Sequence, residues 1–229
     1  MAEKKQDEKD QKQETVLVLC AHNDDQIIGV GGTLAKYAKQ GKHIITVIFS
    51  YGEKSHPHLK KDVIIKQRVK ESISANKILC GEDSEIYYLG LSETKFTKEI
   101  KEKNIAKQIK KIIKEKKPGK IFTHSIDDPH PDHRAIYKFV SEFLEEINYK
   151  GDVYSFNVWN LFINIRKRDR PKMVVDVSDT FKIKMQAFER HKSQMVQARL
   201  PLTWSIYFRA ILNGLMHKMK FAEVFFKIR

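Results

Sequence analysis

From Thr15 onward, short continuous apolar runs alternate with longer segments of helical period. Val16–Ala21 (VLVLCA) and Ile44–Phe49 (IITVIF) are apolar throughout. They predict strands buried on both faces rather than on one. Shorter runs at Ile86–Leu89, Ile121–His124, Val153–Trp159 and Met173–Val177 predict four more strands. Between them, Gln26–Gln40, Lys61–Leu79, Lys98–Lys117, Asp132–Ile147 and Asp179–Val196 carry helical spacing. Several of these stop at Gly41, Gly81 or Pro118-Gly119. Buried strands alternating with helices imply an α/β fold: a Rossmann-like, doubly wound, mostly parallel sheet with helices on both faces. In such a sheet strands 1 and 4 are neighbours, and the loops leaving their carboxyl ends meet in a crevice.

Residues 1–14 (MAEKKQDEKDQKQE) have no apolar core and are expected to form a disordered tail, not a signal peptide. Residues 15–229 are expected to form one domain, a size that suits a single core. The stretch Arg199–Arg229 mixes aromatics with Arg and Lys. It can complete the core, wall an active site or touch a membrane surface.

The formal net charge is +14. This allows a second function class, a basic protein binding nucleic acid or an anionic surface around a vestigial metal site. However, ten lysines fall between Lys98 and Lys120, where Ile105, Ile109, Ile112 and Ile113 share one helical face. The lysines then solvate the opposite face. No nucleic-acid motif is present. Cys20 and Cys80 are expected to be buried free thiols, which together with the absent signal peptide favours a cytoplasmic protein.

The two loops expected to converge are rich in metal-binding residue types. After strand 1 comes His22-Asn23-Asp24-Asp25. After strand 4 comes His124, then Asp127-Asp128-Pro129-His130-Pro131-Asp132-His133. A catalytic zinc takes three ligands from His, Asp or Glu and leaves a position for water. His22 and Asp25 can supply two, and a histidine of the second loop the third. Asp24 is then free to act as general base, His130 to stabilise an oxyanion or protonate a leaving group, and Asp132 to orient an imidazole. The glycines at 29, 31 and 32 do not complete a dinucleotide fingerprint, because position 34 is Leu34. They predict close packing of the first helix on the sheet.

These motifs resemble those of the PIG-L/LmbE-type zinc-dependent N-deacetylases. Ala21-His22-Asn23-Asp24-Asp25-Gln26 is similar to the family's Ala-His-Pro-Asp-Asp-Glu, and His-Pro-Asp-His stands intact at His130–His133. Lys184…Ala187…His191-Lys192-Ser193-Gln194 and Ala222-Glu223-Val224-Phe225 resemble two looser family stretches. The resemblance implies His22, Asp25 and His133 as metal ligands, Asp24 as general base and His130 as the residue assisting the tetrahedral intermediate. It implies Arg68 and His191 as substrate contacts, although a surface arginine and a packed histidine also fit the pattern. The implied cofactor is Zn2+, and a His/His/Asp set also suits other divalent ions. The implied substrate is a small N-acetylated sugar or glycoconjugate. A homo-oligomer is compatible with the sequence. Asn23 and Gln26 depart from the motif beside the ligands.

Overall fold

The computed structural model describes residues 13–56, 60–160, 171–194 and 196–229. Most of the expected tail lies outside the described residues. Its last two residues are held: Gln13 donates to the Gly41 carbonyl, and Glu14 pairs with Lys42 and Lys120.

Seven strands form one sheet in the order β3-β2-β1-β4-β5-β7-β6. They are β1 (Thr15–Cys20), β2 (His43–Ser50), β3 (Glu85–Leu91), β4 (Lys120–His124), β5 (Asp152–Phe156), β6 (Lys172–Asp176) and β7 (Ala222–Lys227). β1 runs parallel to both β2 and β4, so the expected adjacency of strands 1 and 4 holds. β7 is antiparallel to both of its neighbours, β5 and β6.

The apolar runs are buried on both sides because helices cover both faces. Val16, Val18 and Cys20 face one core, with Ile27, Ile28 and Leu34 of α1 (Asp25–Lys39) and Ala75 and Leu79 of α2 (Lys61–Cys80). Phe181, Met185 and Phe188 of α6 (Phe181–Phe188) and Leu202, Ile206 and Ala210 of α7 (Val196–Met216) join that core. Leu17, Leu19 and Ala21 face the second core. It is closed by α3 (Phe96–Glu102), α4 (Ile105–Lys116) and α5 (Pro131–Glu146). Alternate side chains of one strand thus serve two cores. α1 lies so close to the sheet that a Cβ at Gly29 would stand 2.1 Å from the Phe156 ring.

Three elements differ from the sequence expectation. The helix expected over 98–117 is two helices, α3 and α4, broken where Asn104 takes φ +50. Ile100 and Ile105 are both buried, yet five residues on a straight helix lie about 140° apart. The left-handed asparagine resets the phase so that both reach the core. The helix expected over 179–196 ends at Phe188. Beyond it Ser193 leaves the helical path and bonds to Glu71 of α2 through its N–H (2.9 Å) and hydroxyl (2.5 Å). The strand expected over 153–159 ends at Phe156, because Val158 and Trp159 turn their N–H groups onto Asp128.

The segment after Arg199 completes the fold as α7 and β7. Glu223 of β7 accepts the N–H groups of Gly32 and Thr33 and pairs with Lys184 at 2.6 Å, while Lys184 also donates to the Ile28 carbonyl. α4 buries Ile105, Ile109 and Ile112 and turns its lysines to solvent, as its period predicts.

Candidate metal centre

The β1 and β4 loops meet at the carboxyl end of the sheet. The Asp24 carbonyl accepts the N–H groups of Ile27 and Ile28 and starts α1, which puts Asp25 at the helix's first residue. Pro131 and Asp132 open α5, where the His130 ring caps the Asp132 N–H at 3.2 Å. His133 therefore sits in the first turn of α5, facing Asp25.

His22 Nδ1 lies 3.3 Å from His133 Nε2 and 3.3 Å from Asp25 Oδ2, while His133 Nε2 lies 3.4 Å from Asp25 Oδ1. A tetrahedral ion with bonds of about 2.0–2.1 Å holds its ligand atoms roughly 3.3–3.4 Å apart. The two rings stand at that separation, and each stands at it from one oxygen of Asp25, His22 from Oδ2 and His133 from Oδ1. Two facing ring nitrogens beside a buried carboxylate also create a demand for positive charge. Burial lowers both imidazoles, but the surrounding carboxylates together outweigh it: Asp25, Asp132 and Glu93 push His22 up to about 10, and Asp25 and Asp128 push His133 up to about 9. Burial likewise opposes ionisation of Asp25, yet His133, His124 and His22 hold its carboxyl well below the usual range. A divalent cation would satisfy the same demand by displacing those protons.

Surrounding groups fix the rings. His133 Nδ1 is 2.9 Å from Asp128 Oδ1, leaving Nε2 for an ion. His22 Nε2 faces Asp132 Oδ2 at 3.5 Å, and the Thr94 N–H holds the Asp132 carboxylate at 3.0 and 3.1 Å from its two oxygens. Thr94 takes φ +69, an uncommon conformation for a β-branched residue. Asp132 thus stands beside an imidazole, that of His22.

A second cluster, His22, His130 and Asp132, also has metal-compatible spacing. Within it His130 Nδ1 accepts the Asp132 N–H and both Asp132 oxygens accept the Thr94 N–H. His124 is likewise committed, because its Nε2 accepts the Ala21 N–H at 2.9 Å. Burial, followed by the charge on His133, lowers His124 to about 4.

Beside the candidate ligands, Asp24 is buried between two donors. Arg68 Nη2 stands 3.3 Å from one oxygen, and Gln194 Nε2 donates to the other. Arg68 is itself buried, and its Nε and Nη1 have no partner among the described residues. A cavity of about 340 Å³ opens over these groups, walled also by Ile28, Lys54, Glu93, Val158, Trp159 and Leu202. His191 is not on that wall. It is buried beside Asp24 and Arg68, whose charges it senses, and burial lowers it to about 4. His130 does line the cavity. Since its Nδ1 accepts a hydrogen bond, its neutral ring carries the proton on Nε2. Burial and the neighbouring His22 and His133 lower it to about 4.

Asn23 is buried with no side-chain partner among the described residues. The loop is closed instead by Gln26, whose Nε2 donates to the Asn23 carbonyl at 3.2 Å. Sequence reasoning missed Asp128, Glu93, Thr94 and the contact of Gln194 with Asp24. Gln194 stands in a quoted motif, whereas Glu93 and Thr94 follow β3, which is two strands from the switch point.

The family model for PIG-L, GlcNAc-PI de-N-acetylase, matches residues 17–144, over half of the chain. The chain belongs to the PIG-L family. Both motif loops fall within that match. The chain is 25% identical over 228 residues to diacetylchitobiose deacetylase of Thermococcus kodakarensis, covering 91% of this chain and 80% of the relative. Its fold is similar to that of N,N'-diacetylchitobiose deacetylase from Pyrococcus horikoshii. The TM-score is 0.75 at 23% identity, over 96% of this chain and 85% of that one. It is also similar to that of GalB, the 4-carboxy-2-hydroxymuconate hydratase from Pseudomonas putida, with a TM-score of 0.74 at 19% identity. There 95% of this chain and 97% of that one are covered. Since this fold carries a hydratase as well, the reaction has to be argued from the site.

Proposed function

We propose that this family member hydrolyses the linear amide of an N-acetylated amino sugar or sugar conjugate, releasing acetate and a free amine. The observation that carries the proposal is the cluster of His22, Asp25 and His133, of which His22 and Asp25 line one cavity together with Asp24 and His130. The deacetylases among its relatives support the substrate class.

His22 Nδ1, Asp25 and His133 Nε2 would hold zinc or another divalent ion. When bound, that ion lowers the pKa of water to about 7 and polarises the amide carbonyl. Asp24 takes the proton from the attacking water. Arg68 and Gln194 fix the Asp24 carboxylate so that it turns toward the cavity without rotating. His130 offers its Nε2–H to the oxygen that gains charge as water adds to the carbonyl. When the C–N bond breaks, the proton held by Asp24 passes to the departing nitrogen, so the amine leaves neutral and Asp24 is restored. Arg68 borders the same cavity and is placed to contact a substrate beside Asp24. Trp159, Val158, Ile28 and Leu202 supply an apolar wall for the ring face, and the cavity lies within the usual range of small-ligand sites. The domain expected over 15–229 would be the catalytic unit.

The test is metal analysis of purified protein, coupled to acetate release from N-acetylglucosamine, diacetylchitobiose and an N-acetylglucosaminyl lipid. We expect about one ion per chain, acetate from at least one substrate, and its loss in Asp24→Asn. Metal-free protein that releases no acetate, or an Asp24→Asn variant as active as the parent, would overturn the proposal.

A further inference from the structure

α7 is apolar on two opposite sides. Leu202, Ile206 and Ala210 pack into the core, and Leu202 also walls the cavity. On the outward side stand Leu200, Trp204, Tyr207, Phe208, Ile211 and Leu215, all exposed, with Trp204 at 76% and Leu215 at 73%. Their spacing places them within about 100° of the helix circumference, a continuous stripe rather than scattered residues. A solvated helix would carry polar residues there, and monomeric surfaces rarely expose large apolar side chains contiguously.

The charge around the stripe narrows the choice of what covers it. From Arg190 to Ala222 there is no acidic residue, but there are six basic ones. Arg209 is turned inward to the Asn157 carbonyl. Arg190, Lys192, Lys218 and Lys220 are exposed, and Arg199 is partly so. The acids that bound this stretch are Glu189, at the end of α6, and Glu223, which is buried against Lys184. Two copies of this chain meeting stripe to stripe would bring these cations together on proteins that each carry +14. An anionic lipid surface has complementary charge, and Trp, Tyr and Phe beside Lys and Arg are the side chains that settle at a bilayer interface. Among the described residues no helix is long and apolar enough to cross a membrane, so α7 would lie on the surface rather than span it.

We propose that α7 docks the protein on an anionic bilayer, with the Leu200–Leu215 stripe entering the interface and the flanking Arg and Lys residues contacting lipid head groups. Docking would seat against the membrane the helix that also walls the cavity.

Flotation with vesicles of equal parts phosphatidylcholine and phosphatidylglycerol tests this, beside pure phosphatidylcholine vesicles and sedimentation velocity without lipid. The full chain is expected to float with the anionic vesicles, to stay behind with the neutral ones, and to detach as salt is raised. Trp204→Glu/Phe208→Glu/Leu215→Glu changes only exposed side chains. It should keep its thermal midpoint while its vesicle partitioning falls roughly a hundredfold. Fluorescence of Trp159→Phe, which leaves Trp204 as the sole indole, should shift to the blue on binding. Absence of flotation would overturn the proposal, as would equal flotation of the triple variant. So would a parent dimer that the triple variant dissociates without any parent binding to vesicles, since a second copy would then own the stripe.

Discussion

Asp128 Oδ1 lies 2.9 Å from His133 Nδ1, and both side chains are buried from solvent. The other Asp128 oxygen accepts the N–H groups of Val158 and Trp159 at 2.9 and 3.1 Å. One carboxylate thus sets the tautomer of a candidate ligand and pins the cavity wall. Burial disfavours its charge, but His133 and the backbone donors hold its carboxyl well below the usual range. Asp128→Asn is expected to weaken metal affinity by about 10–100-fold, measured by competition with a chromophoric chelator.

Asp24 and Arg68 form a buried pair, so their variants should separate chemistry from stability. Asp24→Asn keeps the shape and should lower acetate release by about 10²–10⁴-fold while metal content stays unchanged. Asp24→Ala strands the Arg68 charge and should cost about 3–5 kcal/mol in urea unfolding.

Gly52 supports the same arginine. It takes φ +74, and a Cβ there would stand 2.5 Å from Arg68 Nε. Gly52→Ala is expected to displace the guanidinium and raise KM for the sugar substrate more than it lowers kcat. An unchanged KM would show that Arg68 does not meet the substrate.

Stability of the metal-free protein should peak near pH 6.5. Burial lowers His124, His130 and His191 to about 4, so they stay neutral in the fold while the unfolded chain takes up protons below about 6.5. The unfolded state binds more protons in that window, and stability falls as pH falls. His22 and His133, raised to about 10 and 9, act in the opposite sense. Their contribution is complete below about 6.5 and is lost as pH rises through those values. Each fully buried ring contributes a slope of up to about 1.4 kcal/mol per pH unit. Urea midpoints in chelator should therefore fall on both sides of pH 6.5. Restoring a divalent ion should flatten the alkaline limb, and His191→Phe should soften the acid limb.

The parts of this protein that the sequence makes legible are those built by local pattern. VLVLCA and IITVIF read as buried strands because both faces of the sheet are covered. The convergence of His22, Asp25 and His133 follows from strand adjacency alone. Where one residue type could play several parts, the pattern is silent. Asp127 and Asp128 are equivalent in the sequence, and only the contact with His133 separates them. His124 looks like a ligand until its Nε2 is seen to accept the Ala21 N–H. β7 was also hidden. Its six residues follow a long helix and pair antiparallel between strands from distant parts of the chain, so no alternation of local elements announces it.

The position of β7 bears on how the molecule is made. Because it enters between β5 and β6, the sheet cannot close on that side until residues 222–227 have been synthesised. The same strand delivers Glu223 to α1, the helix that begins with Asp25. Both motif loops precede β7 in the chain, so α1, the helix that begins with Asp25, gains its Glu223 clamp only once residues 222–227 have joined the sheet.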